Sequence, residues 1–139
     1  MKGVYYDQKV VKSIIAIVGN NTTEGTGVGV DLAGYEGALM TFNIGASGDT
    51  LSETVYMTVK LQESDDDSTY TDVAAGDYEG TQGLVIDAAA EDEIVHAIGY
   101  KGHKRYIRAY IAFTGTHTNG TPIAAQAILS HARHAPISY

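Results

Sequence analysis

Five acidic residues crowd one short stretch of the chain: Glu63, Asp65, Asp66, Asp67 and Asp72. Carboxylates at this density are hard oxygen donors of the kind Ca²⁺ takes. An EF-hand loop counted from Asp65 needs glycine at its sixth position and glutamate at its twelfth, where this chain has Tyr70 and Gly76. The stretch therefore reads as a solvated turn whose charges discourage edge pairing, and no metal is assigned to it. His96, His103, His117, His131 and His134 are the other candidate ligands. The spacing of His131 and His134 is not a zinc signature, and two imidazoles need further ligands, so these read as ordinary polar residues. Serine, histidine and aspartate are all present, yet no GxSxG elbow is; in Gly45-Ala46-Ser47-Gly48 the second glycine follows the serine one position too early. Gly25-Thr26-Gly27-Val28-Gly29 lies in a strand region, where glycine marks a close backbone approach or a bulge. No catalytic residue and no cofactor is assigned.

Lys104, Arg105, Tyr106, Arg108 and Tyr110 form the one basic and aromatic cluster. In a strand the period of two puts Tyr106, Arg108 and Tyr110 on one face. Arginine with aromatics can stack single-stranded nucleic acid, and the same residue types are enriched in protein interfaces. A formal net charge of −8 repels phosphate backbones and anionic membranes, which favours the protein interface. A sheet face with nothing bound is the plainer alternative. Tyr5 and Tyr6, near the N-terminus, join Tyr106, Arg108 and Tyr110 as candidate contact residues.

The elements that position these residues are strands. The chain has 139 residues, 44% of them hydrophobic, the size of one domain with a real core. It has sixteen Gly, two Pro, ten Tyr, no Trp and no Cys, so no disulfide or thiolate chemistry is available. The opening MKGVYYDQKVVKS lacks the apolar core of a signal peptide, and no apolar run has the length of a membrane span. Folding in a cytoplasm is expected. Val55, Met57, Val59 and Leu61 alternate with Tyr56, Thr58, Lys60 and Gln62, the pattern of a half-buried strand. A polar turn is expected over Glu63–Ser68 and a short return strand over Tyr70–Val73. Lys104–Thr114 alternates in the same way, with Ile107, Ala109, Ile111 and Phe113 inward. Further strands are expected over Val10–Val18, apolar enough to be central, and over Thr26–Leu32, Ala38–Ile44, Leu84–Ile86, Glu93–Tyr100 and Ile123–His131. Loops are expected over Gly45–Glu53, Ala74–Gly83 and Asp87–Asp92, and a tight turn over Lys101-Gly102-His103. Asn119-Gly120 tolerates the positive φ angles of a type I′ hairpin. About eight antiparallel strands at this spacing imply an all-β, jelly-roll-like sandwich over residues 10–132, with an immunoglobulin-like sandwich as the second choice. An extended arm over residues 1–9 and a tail over residues 133–139, interrupted at Pro136, flank it.

The stretches VKLQESDDDSTYTDV and GYKGHKRYIRAYIAFTGTHTNGTPIAAQAILSHARHAP together resemble small structural head proteins of tailed bacteriophages and gene transfer agents. The likeness covers roughly Val55 to Pro136. It implies a non-enzymatic virion protein that binds the major capsid protein, as cement and decoration proteins do. Head-spike base and neck or tail connector proteins are alternatives within the group. It implies a place on the capsid surface and a symmetric homo-oligomer, a dimer or trimer. A carbohydrate-binding jelly roll is the rival of another class, with tyrosines as the sugar platform.

Overall fold

The computed structural model describes residues 3–134, which form strands and loops with no helix among them. Ten strands are seen in this span: β1 (Lys9–Gly19), β2 (Val30–Asp31), β3 (Tyr35–Ile44), β4 (Tyr56–Ser64), β5 (Thr71–Asp72), β6 (Tyr78–Gly80), β7 (Leu84–Ile86), β8 (Ile94–Tyr100), β9 (Tyr106–Thr114) and β10 (Thr121–Ala132). They make two antiparallel sheets packed as a sandwich. The first sheet runs β1-β10-β3-β8-β6, and the second β2-β9-β4-β5 with β7 also on β4.

The alternating segments dictate the centre of the second sheet. β4 lies against β9 from Tyr56 opposite Thr114 to Ser64 opposite Tyr106. Met57, Val59 and Leu61 on one strand and Ile107, Ala109 and Ile111 on the other turn inward and are fully buried. They meet Met40, Phe42, Ile44, Ile98, Ile123, Ala125, Ala127 and Leu129 from the first sheet. Burial of a large aliphatic side chain contributes about 1.5–3 kcal/mol, so this one core carries the fold.

The pairings are nested: β1 with β10, β2 with β9, β3 with β8 and β4 with β7. The chain is thus a long antiparallel ribbon, folded so that β10 also meets β3 and β9 also meets β4. Every connection except β4–β5 crosses between the sheets.

Several sequence expectations change. The strands number ten rather than about eight, because β6 forms inside the segment expected to be a loop over Ala74–Gly83. Its Tyr78 sits opposite Tyr100 and packs on the core, an anchor too short to show as alternation. β4 continues through Glu63 and Ser64, both buried, so the acidic turn starts at Asp65. β1 is an edge strand, not a central one, and Ile15, Ala16, Ile17 and Val18 are all exposed on it. The expected strand Thr26–Leu32 shrinks to Val30–Asp31 plus a bridge from Thr26 to Tyr110. Its glycines do mark close approach: a Cβ on Gly25 would collide with the Ile111 carbonyl, and one on Gly27 with Ser13 and Ala109.

Asn119-Gly120 forms no hairpin, since β9 and β10 belong to different sheets. Gly120 does take a positive φ of 78°. The cause is the Asp49 carboxylate, which accepts the backbone N–H groups of Thr118, Asn119 and Gly120 at 3.0, 2.9 and 2.8 Å. The N-terminal segment turns instead of extending, with Asp7 N and Gln8 N donating to the Val4 carbonyl at 3.0 and 3.1 Å. Pro136 and the end of the expected tail lie outside the described residues.

Candidate interaction surface

Tyr106, Arg108 and Tyr110 do share the outer face of β9, as period two requires. Directly across on β4 stand Ser64, Gln62 and Lys60. Arg108 Nε donates to Gln62 Oε1 at 2.9 Å, and Gln62 Nε2 donates to Asp72 Oδ1 at 2.9 Å. Lys60 Nζ reaches the second Asp72 oxygen at 2.8 Å. The Arg108 guanidinium lies 4.1 Å from the Tyr70 ring centre and 5.9 Å from that of Tyr110. The Tyr70 hydroxyl in turn donates to Asp67. Gly29 lies beneath that pair, where a Cβ would strike both side chains. Arg105 holds Asp31 through two bonds, at 3.0 and 2.9 Å, and lies 5.2 Å from the Tyr106 ring centre.

The electrostatics agree with this closed arrangement. Burial works against the charged form of Asp72, yet the bonds from Lys60 and Gln62 outweigh it and hold the carboxyl below its ordinary value. The bond from Arg105 does the same for Asp31. Burial, reinforced by Asp67, pushes the Tyr70 phenol up. A docking partner would have to break these bonds before it gained any, which weakens the case for Arg108 as an anchor. Tyr5 and Tyr6 are both 61% exposed and meet edge to face at 5.0 Å, but their turn leads into β1 of the other sheet. The five contact candidates thus divide between β9 and the turn before β1.

The acidic turn is held by its own chain. Asp66 accepts the Ser64 hydroxyl and the N–H groups of Ser68 and Thr69 at 2.9, 3.0 and 2.9 Å, which lower its pKa. Asp65 pairs with Lys104. Glu63 points into the sandwich and accepts the Tyr100 hydroxyl at 2.6 Å. Burial first, then this bond, raises the Tyr100 pKa. Among the described residues no group of three or more His, Asp or Glu is placed to hold a metal. The histidines have separate surroundings: His96 at the Thr81 carbonyl (2.8 Å), His117 at the Thr114 carbonyl (3.0 Å) and His131 at Ser130 (3.1 Å). His103 and His134 are exposed.

A cleft of about 450 Å³ opens beside Tyr100, lined among others by Tyr35, Lys101, Lys104, Arg105 and Arg133. Each of these cations faces a carboxylate, from Glu79, Asp65, Asp31 and Glu36 respectively. The cleft therefore offers an anion little net positive field.

The feature missed in the sequence is the outer face of the first sheet. Cross-strand pairing sets Val10, Ile128, Leu39, Gly99 and Glu79 in one row across all five strands. Lys12, Gln126, Thr41 and Ala97 make the next row, and Ala124, Asn43 and Val95 the third. Val18 opposite Pro122 closes the face. Between Lys12 at one edge and Glu79 at the other, these rows hold no ionisable group. Val95 is 73% exposed and Val18 56%. The outward positions of ALMTFNI and IAAQAIL, which lack any charge, were the signal.

No protein-family model matches the chain, and no curated protein matches its sequence. Among the described residues no helix is long and apolar enough to cross a membrane.

Proposed function

We propose that this chain is a non-enzymatic virion structural protein that binds an assembled capsid and stabilises it, in the manner of cement and decoration proteins. The observation that carries this reading is the uncharged outer face of the first sheet in a chain of net charge −8. A surface without charged side chains docks on another protein with less desolvation cost than a charged one, and exposed apolar side chains such as Val95 and Val18 mark such sites. The nested pairing and sheet-crossing connections also support the jelly-roll-like form expected from the number and spacing of the strands.

The mechanism is mass action. A protein that buries its face across a seam of the assembled major capsid protein, and has no comparable site on free subunits, lowers the free energy of the shell. Neither an active site nor a cofactor is required. The residence of this protein is then the capsid surface, and its partner the major capsid protein.

The test uses capsids that lack the protein. Co-sedimentation and a raised disassembly temperature are expected on adding it. Absence of binding, combined with calcium-dependent retention on glycans, would place the chain in the carbohydrate-binding class instead.

A further inference from the structure

Edge strands of natural proteins are blunted by lysine, proline, bulges or a covering segment. Where β1 is most apolar it carries no lysine or proline and no covering strand among the described residues, and a bulge is its one such device there. Ile15, Ala16, Ile17 and Val18 are consecutive, exposed and uncharged, with Ile15 at 64%. No strand among the described residues pairs with the outer side of β1. The adjoining segment touches it at Ser13, where Val28 N donates to the Ser13 carbonyl at 2.8 Å and the Ser13 hydroxyl donates to Val28 O at 2.9 Å. Val28 adds a further apolar side chain, 55% exposed. The register shifts between Ile14 and Ile17, so the edge bulges here and thrusts side chains outward.

The charges around this patch are arranged end to end. Lys12 stands four residues before Ala16, and Asn20 four residues after it. Glu24 is fixed at Asn20, whose N–H it accepts at 2.8 Å. An antiparallel copy centred on Ala16 therefore brings Lys12 of each chain toward Glu24 of the other, while Ile15 and Ile17 meet across the twofold axis. We infer that β1 is the contact between two copies of this chain, packed antiparallel along Ile15–Val18 and flanked by reciprocal Lys12–Glu24 pairs. The contact is isologous and closes after two chains. The bulge interrupts the hydrogen-bonding ladder, so side chains carry the contact.

This goes beyond capsid binding and gives it scale. The rows from Val10 to Val18 span roughly 26 Å along the strands by 19 Å across them at ordinary spacings, or about 500 Å² projected. A standard interface buries about 800 Å² per partner. A twofold axis perpendicular to the sheet sets the two uncharged faces side by side, pointing the same way, and reaches that size.

Sedimentation equilibrium of the full chain, without capsids, tests the inference. A particle of two chains is expected. Ile15→Lys should sediment as a single chain, and Lys12→Glu should weaken the dimer at least tenfold while keeping the wild-type circular dichroism. The double variant Lys12→Glu/Glu24→Lys should restore it, a rescue that a merely structural role would not give. A wild type that stays a single chain across a hundredfold range of concentration overturns the inference. So does a dimer that Lys12→Glu and Ile15→Lys leave unchanged, or a double variant no tighter than Lys12→Glu. Because no capsid is present, the result is independent of the capsid reading.

Discussion

The outer face of β4 and β9 is rich in charge and aromatic rings, and its ions are paired within the chain: Lys60 with Asp72, Arg105 with Asp31, Arg108 with Gln62 and Tyr70. The outer face of β1, β10, β3 and β8 carries charge in these rows only at its edges, at Lys12 and Glu79, and between them the side chains are aliphatic, small or uncharged polar. By residue type the first of these two faces looks like the binding surface. The proposed function places the contact on the second. Tyrosine and arginine confer affinity when they are available to a partner, and here bonds across the sheet hold them in place. The charged face ties the strands of the second sheet together, and in the proposed function the uncharged face makes the contact.

The comparison breaks most sharply at the uncharged face. Leu39→Glu or Val95→Glu should reduce capsid affinity by about a hundredfold or more, near 2.7 kcal/mol, in a co-sedimentation isotherm. The thermal midpoint should scarcely move, since exposed substitutions stay within about 0.5 kcal/mol. Removing the buried hydroxyl of Tyr100 does the reverse. Tyr100→Phe leaves the buried Glu63 carboxylate without its 2.6 Å partner, which costs about 1–3 kcal/mol in urea unfolding and leaves binding intact. Arg108→Ala on the charged face should destabilise by about 1 kcal/mol through the lost bond and ring contact, again with unchanged capsid affinity.

The smallest effect is in the pH dependence. Asp72 and Asp31 are held below their ordinary value of 3.8. The unfolded chain therefore binds protons first as pH falls, so their stabilisation is present above that value and is lost as pH drops through the lower folded pKa. Acid unfolding of Asp72→Asn and Asp31→Asn should show a shallower slope below pH 3.8 than the wild type. Substitutions on the uncharged face should leave that slope alone.

Much of the fold was legible because two segments repeat one rule. Val55–Leu61 and Ile107–Phe113 alternate cleanly; Met57, Val59, Leu61, Ile107, Ala109 and Ile111 do form the core and Phe113 packs on it, while Val55 precedes β4 and is not part of it. The shared face of Tyr106, Arg108 and Tyr110 followed from the same period. Its closure did not, because Gln62 lies 46 positions from Arg108 and nothing local signals the pairing. Asn119-Gly120 was misleading for a similar reason, since its backbone is shaped by Asp49, 71 positions from Gly120. In β3 and β10 the outward positions are aliphatic, small or uncharged polar and carry no charge from Leu39 to Asn43 or from Ala124 to Ile128, so alternation could not tell which side met water. β1 misled in the same way: apolar composition suggests a centre, and only the nested topology makes it an edge.

One measurement bears most directly on the contrast between the two faces. Capsids lacking the protein are titrated with wild type, with Val95→Glu and with the double variant Arg108→Ala/Tyr110→Ala, each shown to be folded. The uncharged face as docking surface predicts wild-type affinity for the double variant and loss of binding for Val95→Glu. Wild-type binding by Val95→Glu with loss in Arg108→Ala/Tyr110→Ala would contradict it and return the contact to β9.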